Sequence, residues 1–273
     1  MIFLGKCLKL LTLGKELVIH DPEIVNGLQT SSEIHRFFKS NADKIAGEKR
    51  DILVRVIVPE NEETRDRIIR ATNSQTPIPK SSLRATDQVH RQIEDYLKPR
   101  GLYYDRRKNF YKNEGKKPKE IISVPFISQC LMSTLMQKPD YARARPSTLL
   151  ENDDAYSKLF HKNNELNTYF LVALWGRRIE QHLKELKKFA APEITDIKFY
   201  ILYCSSCLIT ESLYPSNSKM SRERESSLTE NILSYCVSSV YDLYMNLGGN
   251  DKVAKGSRLI EALKTKLRDE KNL

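Results

Sequence analysis

The spacing of apolar residues changes part-way along the chain. Over residues 1–146 short apolar runs alternate with polar loops, whereas over 147–273 apolar positions recur every three or four residues. In the first part, residues 16–20 and 23–25 read as strand pieces separated by an Asp21-Pro22 turn, and the β-branched run at 52–58 reads as a buried strand that Pro59 ends. Asn61 then caps a helix running through Ile68 and Ile69, with Glu62 and Glu63 in its first turn, where negative charge suits the helix dipole. Thr86-Asp87 opens a second helix with the stripe Val89, Ile93, Tyr96 and Leu97, and Pro99 and Gly101 stop it. Residues 103–106 and 110–111 are expected to pair as a hairpin around Lys108-Asn109, ahead of a strand at 120–124 and a helix from Pro125 to about Met136.

In the second part, Val172, Trp175, Ile179, Leu183 and Leu186 share one helical stripe, and Ile232, Cys236, Val240, Leu243 and Leu247 another, closed by Gly248-Gly249. Val253, Ile260, Leu263 and Leu267 form a third. The predicted class is therefore α+β, with a mixed α/β lobe over 1–146 followed by an all-α helical bundle over 147–273. The polar stretch 216–227 is expected to be a mobile loop, and no internal repeat is visible.

A chain of 273 residues with 40% apolar residues can bury a sizeable core. Forty-five basic against 35 acidic residues leave +10, which favours polyanionic partners such as nucleic acid but also suits anionic membrane surfaces or simple solubility. No apolar run approaches the roughly 20 residues that span a bilayer, and the start lacks a small-residue cleavage site, so a soluble, cytoplasmic protein with no membrane partner is expected. Five cysteines suit reduced thiols; Cys204 and Cys207 form a CxxC inside an apolar run, which reads as core packing ahead of metal or redox use.

Several segments carry candidate chemistry, each with a plain structural alternative. Ile24-Val25-Asn26-Gly27-Leu28-Gln29-Thr30 is a strand, a turn permitting positive φ and a helix start, which is either an anion site or an ordinary capped turn. Ala71-Thr72-Asn73-Ser74-Gln75-Thr76-Pro77-Ile78 offers amides and hydroxyls suited to base edges or a nucleotide, or is a helix end and loop. Arg84, just ahead of a helix, can hold phosphate or pair with Asp87, and Arg143 and Arg145 repeat the arrangement before Pro146-Ser147. The densest basic segment, residues 98–119, has nine Lys or Arg against Asp105 and Glu114, interleaved with Tyr103, Tyr104, Phe110 and Tyr111. It reads either as a solvated face or as a nucleic-acid surface in which cations neutralise phosphates and rings stack on bases. No P-loop, Gly-x-Ser-x-Gly or His-Glu-x-x-His occurs, and Glu114-Gly115-Lys116 lacks the acidic partner a metal-dependent nuclease needs.

Taken in order, Ile-Val-Asn-Gly-Leu-Gln-Thr at 24–30, Arg-Ala-Thr-Asn-Ser-Gln at 70–75, Leu-Arg-Ala-Thr-Asp at 83–87, Gly-Leu-Tyr-Tyr-Asp-Arg-Arg-Lys at 101–108 and Ala-Arg-Ala-Arg-Pro-Ser at 142–147 resemble the AIPR (abortive phage infection) family over roughly residues 16–160. The resemblance implies a prokaryotic phage-defence protein. It also implies further sequence at the N-terminus, so that the chain reads as a fragment or a short member without a catalytic lobe. The candidate nucleic-acid or nucleotide site drawn from it is Asn26, Gln29, Thr30, Asn73, Gln75, Arg84, Asp87, Arg106, Arg107, Lys108, Arg143 and Arg145, converging on one basic cleft. The leading function is nucleic-acid binding within a defence system, with no cofactor and with other defence proteins as further partners. The alternatives are a nuclease or nucleotide hydrolase, for which magnesium would be implied, and a partner-binding scaffold built on the helical lobe.

Overall fold

A computed structural model describes residues 1–5, 7–10, 17–73, 84, 87–144 and 152–273. The chain divides into two compact units, Met1–Pro79 and Lys80–Leu273.

The first unit is built on short strands. β1 (Ile2–Leu4) runs antiparallel to β4 (Glu23–Asn26) and parallel to β5 (Arg55–Ile57), giving the order β4-β1-β5, while β2 (Cys7–Leu10) and β3 (Leu17–His20) form a separate antiparallel pair. α1 (Leu28–Ser40) follows β4 directly and buries none of its residues. α2 (Glu62–Asn73) begins as the sequence predicts, with the Asn61 carboxamide oxygen accepting the Thr64 N–H at 2.8 Å. The strands at 17–20, 23–26 and 55–57 fall where alternation and β-branching place them.

The second unit is mostly helical. α3 (Gln88–Leu97) leads into β6 (Tyr103–Asp105), the short α4 (Phe110–Asn113) and β7 (Ile121–Ser123), then α5 (Val124–Leu135), α6 (Pro139–Ala144), α7 (Asp153–Leu159), α8 (Leu166–Glu185) and α9 (Ala191–Ile209). α10 (Asn217–Met220), α11 (Glu230–Asn246), α12 (Asp251–Ala254) and α13 (Ser257–Lys271) complete it. α9 is apolar around nearly its whole circumference, so it is central: α5, α6, α8 and α11 all pack on it. Its Cys204 and Cys207 are fully buried, and burial pushes the Cys207 thiol up to about 12, as the core-packing reading expects. Residues 87–144, grouped by sequence with the mixed lobe, belong by their contacts to this helical unit, because the apolar face of α5 closes against α8 and α9.

Two local expectations are corrected. Residues 103–111 do not form a hairpin: β6 pairs in parallel with β7. The Asp105 carboxylate instead accepts the N–H groups of Asn109 (2.8 Å) and Tyr111 (3.3 Å), and Asn109 at φ 67° turns the chain into α4. The polar stretch 216–227 is fastened down. Met220 is fully buried, the Asn167 amide donates to the Ser221 and Glu223 carbonyls at 2.8 and 3.2 Å, and the Trp175 indole donates to the Glu225 carbonyl at 3.3 Å.

At Gly176, α8 passes close to α5. A Cβ there would lie 2.8 Å from Cys130 Sγ and 3.1 Å from Phe126 Cζ, both on buried side chains. Gly176→Ala gains about 1 kcal/mol of helix propensity but overpacks this seam, which costs about 1–3 kcal/mol. The expected outcome in denaturant unfolding is a net loss of stability at unchanged m-value; a stabilised variant would contradict the seam.

Candidate nucleic-acid interface

α3 turns one face inward: His90, Ile93, Glu94 and Leu97 are buried on it, Ile93 and Leu97 from the predicted stripe, while Val89 and Tyr96 of that stripe are partly buried against the core. The polar pair lies one turn apart, so both side chains point the same way. His90 is fully buried; its Nδ1 lies 2.7 Å from the Tyr104 hydroxyl and its Nε2 3.0 Å from the Tyr156 hydroxyl. Tyr156 donates in turn to the Asp87 carboxylate at 2.7 Å. That last bond fixes the others: Tyr156 oxygen accepts from Nε2–H, which leaves Nδ1 to accept from Tyr104. The result is a one-directional chain, Tyr104 to His90 to Tyr156 to Asp87. Burial, reinforced by the nearby Arg106 and Arg84 charges, lowers the imidazole from 6.5 to about 3 and keeps it neutral.

Glu94 serves the same helix one turn on. It accepts from Arg106 Nε and, at 2.8 Å, from the Tyr111 hydroxyl, with Arg107 Nη2 at 3.6 Å. Arg84 lies with its guanidinium 4.0 Å over the Tyr156 ring and pairs with Asp153. Arg84 and Asp87 on one side and Arg106 and Arg107 on the other, separate in sequence, are therefore joined through the single helix α3.

Of the predicted site residues, Arg84, Asp87, Arg106 and Arg107 come together here, with Lys108 exposed beside them. Arg84 and Arg106 are 11% and 7% exposed at the side chain, and both are held by carboxylates. Arg143 sits elsewhere in the unit, forked between Asp196 (2.7 Å) and Asp251 (2.6 Å), where it fastens α6 to α9 and α12. In the first unit, the Asn26 amide donates to the Thr72 carbonyl at 2.7 Å, joining the Asn-Gly turn to α2, and Gln29 and Thr30 are exposed on the first turn of α1. Gly27 holds φ 97°, as the turn requires. The side chain of Asn73, and Gln75 and Arg145, lie outside the described residues.

The basic segment 98–119 divides sharply. Arg100 stacks 3.7 Å over Tyr96, Arg107 3.8 Å over Phe110 and Lys116 4.6 Å over Tyr103, while Tyr104 and Tyr111 are buried. Lys98, Lys108, Lys112, Lys117 and Lys119 are exposed, and none is in an ion pair among the described residues. They occupy the turn before β6 and the connection between β6 and β7. Among the described residues no group of three or more His, Cys, Asp or Glu side chains is placed to hold a metal ion, and no helix is long and apolar enough to cross a membrane.

The profile of the AIPR protein family matches residues 11–266, nearly the whole chain. The chain belongs to the AIPR family. This family is associated with abortive infection, a phage-defence response. None of the curated proteins and none of the solved structures matches this AIPR chain. His90, Glu94, Tyr111 and Tyr156 escaped the reading by motif; the available signal was the spacing 90, 93, 94, 97, which puts two polar residues in line with the apolar stripe.

The neutral His90 predicts a specific acid sensitivity. Between 6.5 and about 3 the unfolded chain binds a proton that the folded chain refuses, so stability falls as pH falls through that window. His90→Asn should remove this component from the pH profile of unfolding. At pH 7 it should also cost about 1–3 kcal/mol, because buried tyrosine hydroxyls lose a partner. A variant with an unchanged profile would contradict the buried, neutral imidazole.

Proposed function

We propose that this AIPR protein is a cytosolic nucleic-acid-binding component of a phage-defence system, and that its contact with the polyanion is made by the connections flanking β6 and β7. The observation that supports this reading is the division of cations in the basic segment: arginines engaged by carboxylates or rings, and five exposed lysines without an acidic partner among the described residues. Their frame is rigid, since Tyr104, Arg106 and Tyr111 are tied to α3. Exposed ammonium groups carried on that frame neutralise phosphate and release counterions, which gives affinity without demanding a sequence.

Fluorescence anisotropy with single-stranded DNA, duplex DNA and single-stranded RNA across a salt series tests this. Changing Lys98, Lys108, Lys112, Lys117 and Lys119 together to Gln should weaken binding. It should also reduce the slope of log K against log salt by about 0.7–0.9 for each lysine that contacts phosphate. Changing Lys158, Lys162, Lys187, Lys188 and Lys252, all exposed elsewhere in the unit, alters net charge equally and should leave most of the slope in place. Equal losses in the two variants would mean that net charge alone attracts the polyanion, and no binding by the wild type would end the proposal.

A further inference from the structure

The three-stranded sheet of the first unit ends in an edge that is apolar and exposed. Among the described residues β5 pairs only with β1. The run around it, Ile52-Leu53-Val54-Arg55-Val56-Ile57-Val58, leaves Ile52 48%, Leu53 88%, Val54 42% and Val58 40% exposed. Unlike the buried strand that its composition predicts, it presents these four apolar side chains to solvent, while Val56 and Ile57 are half-buried. An apolar edge of this kind is a template for another strand.

Direction and register of the partner can be worked out from the ladder. The Leu53 carbonyl accepts from the Met1 amino group at 2.9 Å, the Arg55 N–H donates to the Met1 carbonyl at 2.9 Å, and the Ile57 carbonyl accepts from Gly5 at 3.2 Å. Residues 53, 55 and 57 therefore bond inward, and the backbone groups of Ile52, Val54 and Val56 face outward. An added antiparallel strand must place outward residues opposite outward residues. For a second copy of the same extended segment, whose residues 51–54 lie just before β5, only some two-fold axes meet this condition. An axis at Arg55 sets two guanidiniums face to face, and an axis at Val54 sets Asp51 against Ile57. An axis at Leu53 puts Ile52 opposite Val54 in hydrogen-bonded pairs, Leu53 opposite Leu53, and Asp51 opposite Arg55 at both ends. Asp51 and Arg55 are exposed and in no ion pair among the described residues.

We propose that residues 51–55 pair antiparallel with the same residues of a second copy of this chain, about a two-fold axis at Leu53. The Asp-Ile-Leu-Val-Arg segment is complementary to itself in this register and not with the axis at Val54 or Arg55: an apolar centre is closed at each end by opposite charges. It forms an isologous interface that closes on itself and covers residues 51–55 of the exposed edge.

Sedimentation velocity of the full chain over a concentration series, with circular dichroism to verify folding, tests the register by charge exchange. Asp51→Arg and Arg55→Asp each set two like-charged pairs opposite one another and should raise the dimer dissociation constant on the order of tenfold or more. The double variant restores opposite charges and should recover the dimer. Leu53→Cys should give a disulfide-linked dimer on mild oxidation, whereas Ile52→Cys, whose mate is Val54, should not. A wild type that stays monomeric to its solubility limit, single variants that dimerise unchanged, a double variant that fails to recover, or equal crosslinking at 52 and 53 would each overturn the proposal.

Discussion

Two polar side chains one turn apart on α3 hold the second unit in register. Burying an imidazole and a carboxylate beside apolar neighbours is costly unless every hydrogen-bonding group finds a partner. Here the partners come from far along the chain: Tyr104, Arg106 and Tyr111 from the β6 region, and Tyr156 from α7. Two of them are oriented in turn, Tyr156 by Asp87 and Arg84, and the chain around Tyr111 by the Asp105 carboxylate. A slipped β6, or an α7 displaced by one turn, would leave buried donors or acceptors without partners. Apolar packing alone tolerates such slips better, since it is not directional. The position of the lysine-bearing connection between β6 and β7 therefore follows from α3.

Much of the local structure was legible because it depends on local chemistry. Asn61 caps α2, Gly27 occupies a left-handed turn, Ser123 with Pro125 opens α5, and the strands near residues 20, 24 and 56 follow alternation and branching. What escaped depends on side chains acting at a distance. Asp105 reads as one more charge in a basic run, yet it caps the next turn and diverts the chain from a hairpin to a parallel pairing with β7. His90 reads as one of five scattered histidines, although its place one turn before Glu94 on the apolar face marks both as interior. The order of the five motifs was enough to place the chain in its family. It did not separate the arginines that brace the fold from the cations left at the surface, because a guanidinium is spelled the same way in either setting.

That separation follows a physical difference between the two cations. Arg84, Arg106 and Arg143 are themselves largely buried and each meets a carboxylate, and a planar fork loses little freedom for each bond it makes. The lysines of residues 98–119 that remain exposed are strongly hydrated point charges on flexible stems, suited to phosphate in many orientations and poorly suited to reading the edge of a base. The half-buried rings of Tyr103 and Phe110 are already covered by Lys116 and Arg107, so a base stacking there must first displace a cation. On the proposed nucleic-acid reading, such a surface would favour tracking a phosphate backbone and disfavour sequence readout, so any discrimination among nucleic acids would have to arise from backbone geometry.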